Sequence, residues 1–349
     1  VPLRARFVTT PAGEPLELVA RGKTSRFSAI DDSIRLAPDG SGHVRVDKNG
    51  RQVAASKASR FPVAGYSPGT GQWLLLRYWQ QHGRPAALPV LPAGTVRIRE
   101  DGHDTLTFQN QPLILTRYVL KGLVWGNELL WTDQQGRLAC IITNDAEGDK
   151  IEMLRQPYAA LLPELIGRAA THGMRLFAAE MRSAEPSKLS AKPGLVTAVV
   201  GGTVIDVVRG ISVPNATVLL ENGRISKIGP ADKVRVPKNA LTIPAQGKTI
   251  LPGLWDMHAH FQQAEWGPAY LAAGVTTVRD CGNEFSYINA IEQAINAGRG
   301  VGPRILKAGI VDGSGKRPLG IIRADNAADA AAVVQRYKAA GFRQIKLYS

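Results

Sequence analysis

Apolar and polar residues alternate with a period of two through most of the first 150 positions. Val44–Val46 and Gln52–Ala54 flank Lys48-Asn49-Gly50, Val96–Arg99 and Thr105–Phe108 flank Asp101-Gly102, and Glu128–Thr132 and Arg137–Thr143 flank Asp133–Gly136. Asn-Gly and Asp-Gly supply the positive φ values of tight turns, so each segment predicts a hairpin. Together they predict a curved antiparallel sheet or sandwich. The period then changes to 3.6: Leu161, Leu162, Leu165, Ile166 and Ala169, followed by Met174, Leu176 and Phe177, predict helix over about 152–182, with His172-Gly173 expected to divide it in two.

Ser183–Gly194, rich in Ser, Pro, Lys and Ala, predicts a linker. Period two resumes at Leu195, with strands over Thr197–Val200, Thr203–Val207, Thr217–Glu221, Arg224–Ile228, Leu241–Ile243 and Thr249–Leu251, and a two-residue turn at Asn222-Gly223. After Pro252-Gly253 strands alternate with helices. Strands are expected at Leu254–His260, Thr276–Asp280, Arg304–Ala308 and Gln344–Tyr348, and helices at Pro268–Ala273, Tyr287–Ala297 and Asn326–Ala340. Gly274, Gly298 and Gly341 follow those helices, where a glycine cap belongs. Such alternation predicts a parallel sheet with right-handed crossovers. The expected organisation is a β-rich N-terminal domain ending in helix over 1–182, a linker over 183–194, a β segment over 195–252 and a β/α region over 253–349.

With 349 residues, two or three domains are expected. The net charge of +14 is spread over both halves, without a Lys/Arg block interleaved with aromatics, which argues against nucleic acid binding. No apolar run approaches the ~20 residues of a membrane helix. Cys140 and Cys281 fall in different expected domains and lack CxxC spacing, so neither a disulfide nor a thiolate metal site is expected. The chain starts at Val1 without a leader pattern, which predicts a processed or trimmed polypeptide.

The chemistry concentrates in Ile250–His260, Ile-Leu-Pro-Gly-Leu-Trp-Asp-Met-His-Ala-His. Residues i and i+2 of a strand share a face, so His258 and His260 would stand side by side at a strand's C-terminal end, where parallel α/β folds hold their chemistry. Two imidazoles there predict a metal site. Asp256 alternates with them and is a candidate to orient a ligand or simply a hydrogen-bonded strand residue. Lys346 lies on the fourth strand, between Ile345 and Leu347, and would point into the sheet's concave side or snorkel to water from an edge. Arg279-Asp280 is expected to form an ion pair holding a loop, with Asp280 and Tyr348 as further candidates to touch substrate. Asp312–Gly315 reads as a flexible active-site loop, and His43, His82, His103 and His172 as structural or surface residues. The aromatic groups at Trp73, Tyr78-Trp79, Trp125 and Trp131 are expected in the core.

Thr203–Asp206, Asn215–Gly229, Leu251–His260, Gly274–Asp280, Gly302–Arg304 and Ile345–Tyr348 together resemble the metal-dependent amidohydrolase superfamily, in its imidazolonepropionase-like and Xaa-Pro dipeptidase branch, over about residues 196–349. The resemblance implies the first four units of a TIM-like (β/α)8 barrel behind part of a composite β-sandwich. It implies His258, His260 and Lys346 as metal ligands, one or two divalent ions with zinc the first choice, and a carboxylated Lys346 if two are bound. The implied reaction is hydrolysis of an amide or peptide-type bond in a dipeptide or cyclic amide by a metal-bound hydroxide. The family's remaining ligands, histidines after strands five and six and the general-base aspartate after strand eight, have no counterpart up to Ser349. The expectation is therefore a barrel completed by a further segment or a second chain, inactive without it, with a homo-oligomer left open. Gly122–Thr143 resembles the β-rich leaders of exported bacterial amidohydrolases and implies a periplasmic or secreted location. Two other functions stay open: a non-catalytic envelope binding protein with a remnant barrel, and a mononuclear deaminase-type member.

Overall fold

The computed structural model describes residues 3–23, 29–37, 39–46, 49–53, 61–64, 69–145, 148–183, 195–314 and 322–348. The chain opens with an antiparallel meander of β1 (Leu3–Thr9), β2 (Pro15–Lys23), β3 (Ala29–Leu36), β4 (Gly42–Val46) and β5 (Asn49–Val53). A seven-stranded sheet follows, built from β6 (Phe61–Pro62), β7 (Leu88–Leu91), β8 (Thr95–Phe108), β9 (Gln111–Lys121), β10 (Asn127–Thr132), β11 (Leu138–Asn144) and β12 (Lys150–Leu154), in sequence order across the sheet. Helix α1 (Gly69–Gln81) covers one face, packing Leu75, Leu76, Tyr78 and Trp79 onto Val96, Ile98, Leu120, Leu130 and Ile141. Its first residue has to be small: a Cβ on Gly69 would lie 2.0 Å from Met153 Cε. Helix α2 (Leu162–Ser183) covers the other face, over Leu106, Leu115, Val119, Leu129 and Trp131. Trp131 and Tyr78-Trp79 are core as expected, whereas Trp125 is exposed.

The sequence and the structure part company at two places here. Asp101-Gly102 is not a hairpin turn but a bulge inside the continuous β8, between the pairs Glu100↔Tyr118 and His103↔Thr116. Gly102 supplies the positive φ of 91°, and the true turn is Gln109-Asn110, with φ of 49° and 62°. Likewise α2 runs unbroken through His172-Gly173. The cost of a mid-helix glycine, about 1 kcal/mol, is offset by tertiary packing, since a Cβ on Gly173 would already touch Ala264 Cβ at 3.4 Å. Residues 150–154 are a strand rather than the start of the helix.

A buried ion cluster fastens α2 to this sheet. Asp104 accepts from Trp131 Nε1 (2.8 Å), Arg168 Nη1 (2.9 Å) and Arg117 Nη1, with His172 Nε2 at 3.3 Å. Burial pushes the Asp104 carboxyl up, but the bonds from His172, Trp131 and Arg117 outweigh it and hold the group well below the usual carboxylate range. Asp101 is gripped by Arg117 Nε (3.0 Å), Arg99 and Arg175. His172 is therefore structural, and His82, which pairs with Glu14 at 2.9 Å, is too.

The linker expected at 183–194 lies outside the described residues beyond Ser183. Past it, β13 (Thr197–Asp206), β14 (Ile211–Glu221), β15 (Arg224–Pro230), β16 (Leu241–Pro244) and β17 (Thr249–Ile250) form a single sheet. The two strands expected over 197–207 are one, irregular in register around Gly201-Gly202, and Asn222-Gly223 is the expected turn with φ of 50° and 74°.

The remaining strands pair in parallel, with connecting helices: β18 (Leu254–Ala259), α3 (Trp266–Ala272), β19 (Val275–Asp280), α4 (Phe285–Asn296), β20 (Arg304–Asp312), the short β21 (Ile322–Arg323), α5 (Ala327–Ala339) and β22 (Gln344–Leu347). Spatial order is β18-β19-β20-β22, with β21 beside β20. Gly274, Gly298 and Gly341 have φ of 79°, 67° and 80°, as a helix-ending glycine requires. Asn326 caps α5 by accepting from Asp329 N at 2.9 Å. The hydrophobic core does not divide at the linker: Leu165, Ala169 and Met174 of α2 share one cluster with Ile288, Ile291 and Ala294 of α4.

Candidate metal centre

Strand β18 delivers both histidines to its C-terminal end, but not by simple alternation. Its register against β19 shifts between Asp256↔Val278 and Ala259↔Asp280, so one extra residue is taken up across Met257-His258, at the first of the pair. Such a bulge re-aims the side chains that follow. The two rings stand 5.4 Å apart, centroid to centroid. Asp256, expected as a possible orienter of a ring, instead accepts from the backbone N–H of His258 at 3.0 Å and so serves the bulge.

One nitrogen of each imidazole has a defined partner. A carbonyl oxygen only accepts, so His260 Nδ1 carries the proton it donates to Gly282 O at 2.9 Å, leaving the lone pair on Nε2. An ammonium only donates, so Lys346 Nζ, 3.1 Å from His258 Nε2, gives a hydrogen to that nitrogen's lone pair. The two rings thus lie side by side, and a lysine from the far edge of the sheet reaches the first of them. Among the described residues no third His, Cys, Asp or Glu joins them in a ligand group. The ring of Tyr348 lies 5.1 Å from Lys346 Nζ, so this residue flanks the lysine.

Asp280 is not paired with Arg279, contrary to the expected ion pair. Arg279 Nε donates to Met257 O at 2.6 Å, while Asp280 turns inward and is almost wholly buried. Asp280 accepts from the N–H groups of Phe261 (2.7 Å) and Gly282 (3.1 Å) and from Asn283 Nδ2 (3.3 Å); Asn283 Nδ2 also donates to Phe261 O (2.7 Å). These bonds tie the segment after His260 to the turn that carries the Gly282 carbonyl. Burial pushes the Asp280 carboxyl up, against the pull of these donors. Sequence reasoning missed Gly282 and Asn283. The signal available was Asp-x-Gly, a carboxylate two residues before a glycine, which favours a turn closed on the aspartate's own side chain.

The N-terminal β region reaches the same end of the sheet. Gln263 Nε2 donates to Trp125 O (2.9 Å) and Asn144 Oδ1 (2.8 Å), and Glu265 Oε1 accepts from the N–H and Nδ2 of Asn127, both at 3.0 Å. Lys150 is buried against Glu284, with Gln262 Oε1 at 3.2 Å and the Tyr287 ring at 4.5 Å. Glu152 stands 3.7 Å from Lys150, and burial together with the negative Glu284 pushes its carboxyl up to about 7.

The donor chemistry fits a divalent cation. Two imidazoles side by side, one oriented by a backbone carbonyl through Nδ1, are what a borderline-soft ion takes, once Lys346 releases His258 Nε2. Asp312–Ser314, the described part of the expected flexible loop, is folded back on Asp325, which accepts from Ser314 N and Oγ, both at 2.6 Å.

No protein-family profile matches the chain, and no curated protein matches it. Solved structures do. The chain is similar to a putative prolidase from Bifidobacterium longum, at 24% identity over 45% of this chain and 41% of that one, with a TM-score of 0.40. It is similar to molinate hydrolase, at 34% identity over 36% and 32% with a TM-score of 0.34. It is similar to a Xaa-Pro dipeptidase with bound methionine, at 22% identity over 44% and 46% with a TM-score of 0.38. The chain spans less than half the length of each of these proteins.

Proposed function

We propose that the chain carries part of the active site of a metal-dependent hydrolase of amide or peptide-type bonds. The observation that supports this reading is the pairing of His258 with Lys346, beside the ring of His260, at one end of a parallel sheet. Two neighbouring imidazoles with no carboxylate in their group, among the described residues, suit an external electrophile. A bound zinc ion would polarise the scissile carbonyl and make water acidic enough to ionise near neutral pH. His258 and His260 would hold the ion, with Gly282 O fixing the second ring. Lys346, as a carbamate formed with CO2, would exchange its positive charge for an anion able to bridge two ions; as a free amine it fits a single-ion site. The four parallel strands are then the first four units of a (β/α)8 barrel. The rest of the ligands and the general base would come from a segment outside these 349 residues or from a second chain. The substrate class is a dipeptide or cyclic amide, and the location periplasmic or secreted.

Zinc uptake tests the reading without relying on turnover. Plasma mass spectrometry of dialysed protein should find bound zinc, lost in His258→Ala, and isotope-labelled bicarbonate should give a carbamate signal on Lys346 if two ions bind. Equal zinc uptake by the wild type and His258→Ala would sink the proposal.

A further inference from the structure

Arg4, Arg6, Arg21, Arg35 and Arg45 form no run in the sequence, yet strand pairing gathers them on one face of the first sheet. Residues directly opposite on neighbouring strands share a face. Arg4 stands opposite Arg21, and Arg21 opposite Asp31. Arg6 and Val19, Val19 and Ser33, and Ser33 and Arg45 are opposed in the same way, as are Glu17 and Arg35. Two triads result, each an acid between two arginines. Asp31 Oδ1 accepts from Arg21 Nε at 2.8 Å and Arg45 Nη2 at 2.9 Å. Glu17 accepts from Arg35 Nε at 2.8 Å and from Arg6 Nη2. Each triad keeps a net positive charge. Arg21 and Arg35 spend only Nε on their acids, so the paired terminal nitrogens of both have no acceptor among the described residues. Arg4 has no acidic partner there either, and it faces Arg21, a like-charge pair that costs a sheet stability. The side chains of Arg6, Arg21 and Arg35 are 68%, 63% and 61% exposed, so the fold does not cover them.

We propose that this face holds the protein flat on an anionic phospholipid surface, its guanidinium groups paired with headgroup phosphates. Residue type supports a phosphate partner. The planar fork of arginine bonds a phosphate through two nitrogens at once, which an ammonium does not, and the one lysine of the face, Lys23, lies at its margin. Breadth supports a surface. The arginines span β1 to β4, roughly 15 Å at about 4.8 Å per strand, which is too wide for one free phosphate. Among its described residues the face carries no Phe, Tyr or Trp on which a nucleic acid base could stack. It also carries no large exposed apolar side chain to insert between lipids, so the attachment is electrostatic and reversed by salt.

Co-sedimentation with sucrose-loaded vesicles tests this. At low salt the protein should pellet with mixed phosphatidylglycerol–phosphatidylcholine vesicles and stay in solution with phosphatidylcholine alone. Salt at about 0.5 M, where screening reaches within roughly 4 Å, should release it. Arg4→Glu/Arg21→Glu should weaken vesicle binding by about tenfold or more, whereas Lys227→Glu/Lys238→Glu, an equal change in net charge at exposed positions of the third sheet region, should change it by less than about twofold. Arg4→Glu alone breaks neither triad, so a loss of binding stays readable if the double variant fails to fold. Absence of binding to the anionic vesicles, or equal loss in the two double variants, overturns the proposal. So does release by inorganic phosphate at constant ionic strength, or tighter binding to duplex DNA than to the vesicles.

Discussion

The Asp104 cluster and the His258 cluster are both groups of polar side chains presented by β-strands, and they end in opposite chemical states. Around Asp104, acids and bases alternate, and Asp104 meets four donors from β9, β10 and α2. Its carboxylate is fully partnered within the protein. The rings of His258 and His260, set where the strands end, have a lysine and a backbone carbonyl as partners and no carboxylate in their group among the described residues. Burial alone therefore does not mark a working site. What marks it is an unbalanced donor set, and the contrast predicts that the first cluster governs stability and the second governs ligands.

The sharpest way to break this contrast is His258→Ala. Zinc content should collapse and any amide hydrolysis fall by about 10³-fold or more, while the urea midpoint stays within the range of an ordinary surface change, about 0.5 kcal/mol. A large loss of stability instead would erase the distinction. Asp104→Ala should do the reverse, costing about 3–5 kcal/mol through the stranded arginines and leaving zinc uptake by the folded fraction intact. Because the Asp104 carboxyl is depressed in the folded state, its contribution is present above the unfolded value of about 4 and is lost as pH falls below it. Acid titration of unfolding, followed by circular dichroism, should therefore show a steep decline that Asp104→Asn flattens.

Gly282→Ala sharpens the comparison within the second cluster. Gly282 has φ of 142°, and a Cβ there would lie 2.0 Å from Ile310 Cδ1. Shifting its carbonyl should weaken zinc binding by about 10–100-fold, the effect of losing a group that orients a ligand, as read by competition with a chelator. Glu152, between the two extremes, should respond least. Its carboxyl is raised from 4.5 to about 7, so the folded state holds an extra proton between those values and stability falls as pH rises across them. Glu152→Gln should be more stable than wild type by on the order of 2 kcal/mol above pH 7, with the difference vanishing near pH 5.

Much of this was legible in the sequence where one signal acted alone. The glycines at 274, 298 and 341 ended helices because only a positive φ fits there, and Asn222-Gly223 turned for the same reason. His258 and His260 were singled out by residue type and strand spacing and Lys346 by a family resemblance, and the structure brings His258 and Lys346 into contact across 88 positions. Reading failed where a distant partner overruled a local signal. Asp101-Gly102 is a good turn dipeptide, but pairing with β9 on both sides kept the strand going. His172-Gly173 looks like a helix break until Ala264 and Asp104 pack against it. Arg279 and Asp280 suggested an ion pair because they are adjacent, although strand neighbours point to opposite faces. The Asp280-x-Gly282 pattern signals a turn but not that its carbonyl meets His260.

That last feature bears on how such a site can change over generations. Where a side chain steers a metal ligand, many single substitutions can retune it, and lineages can wander through them. His260 is steered by a main-chain oxygen that no codon change removes. Its direction can drift only through the path of the turn, and that path is pinned by a residue whose whole side chain is a hydrogen atom. Selection acting on this ligand would thus be forced elsewhere, towards His258 and Lys346, whose mutual contact is made entirely of replaceable groups.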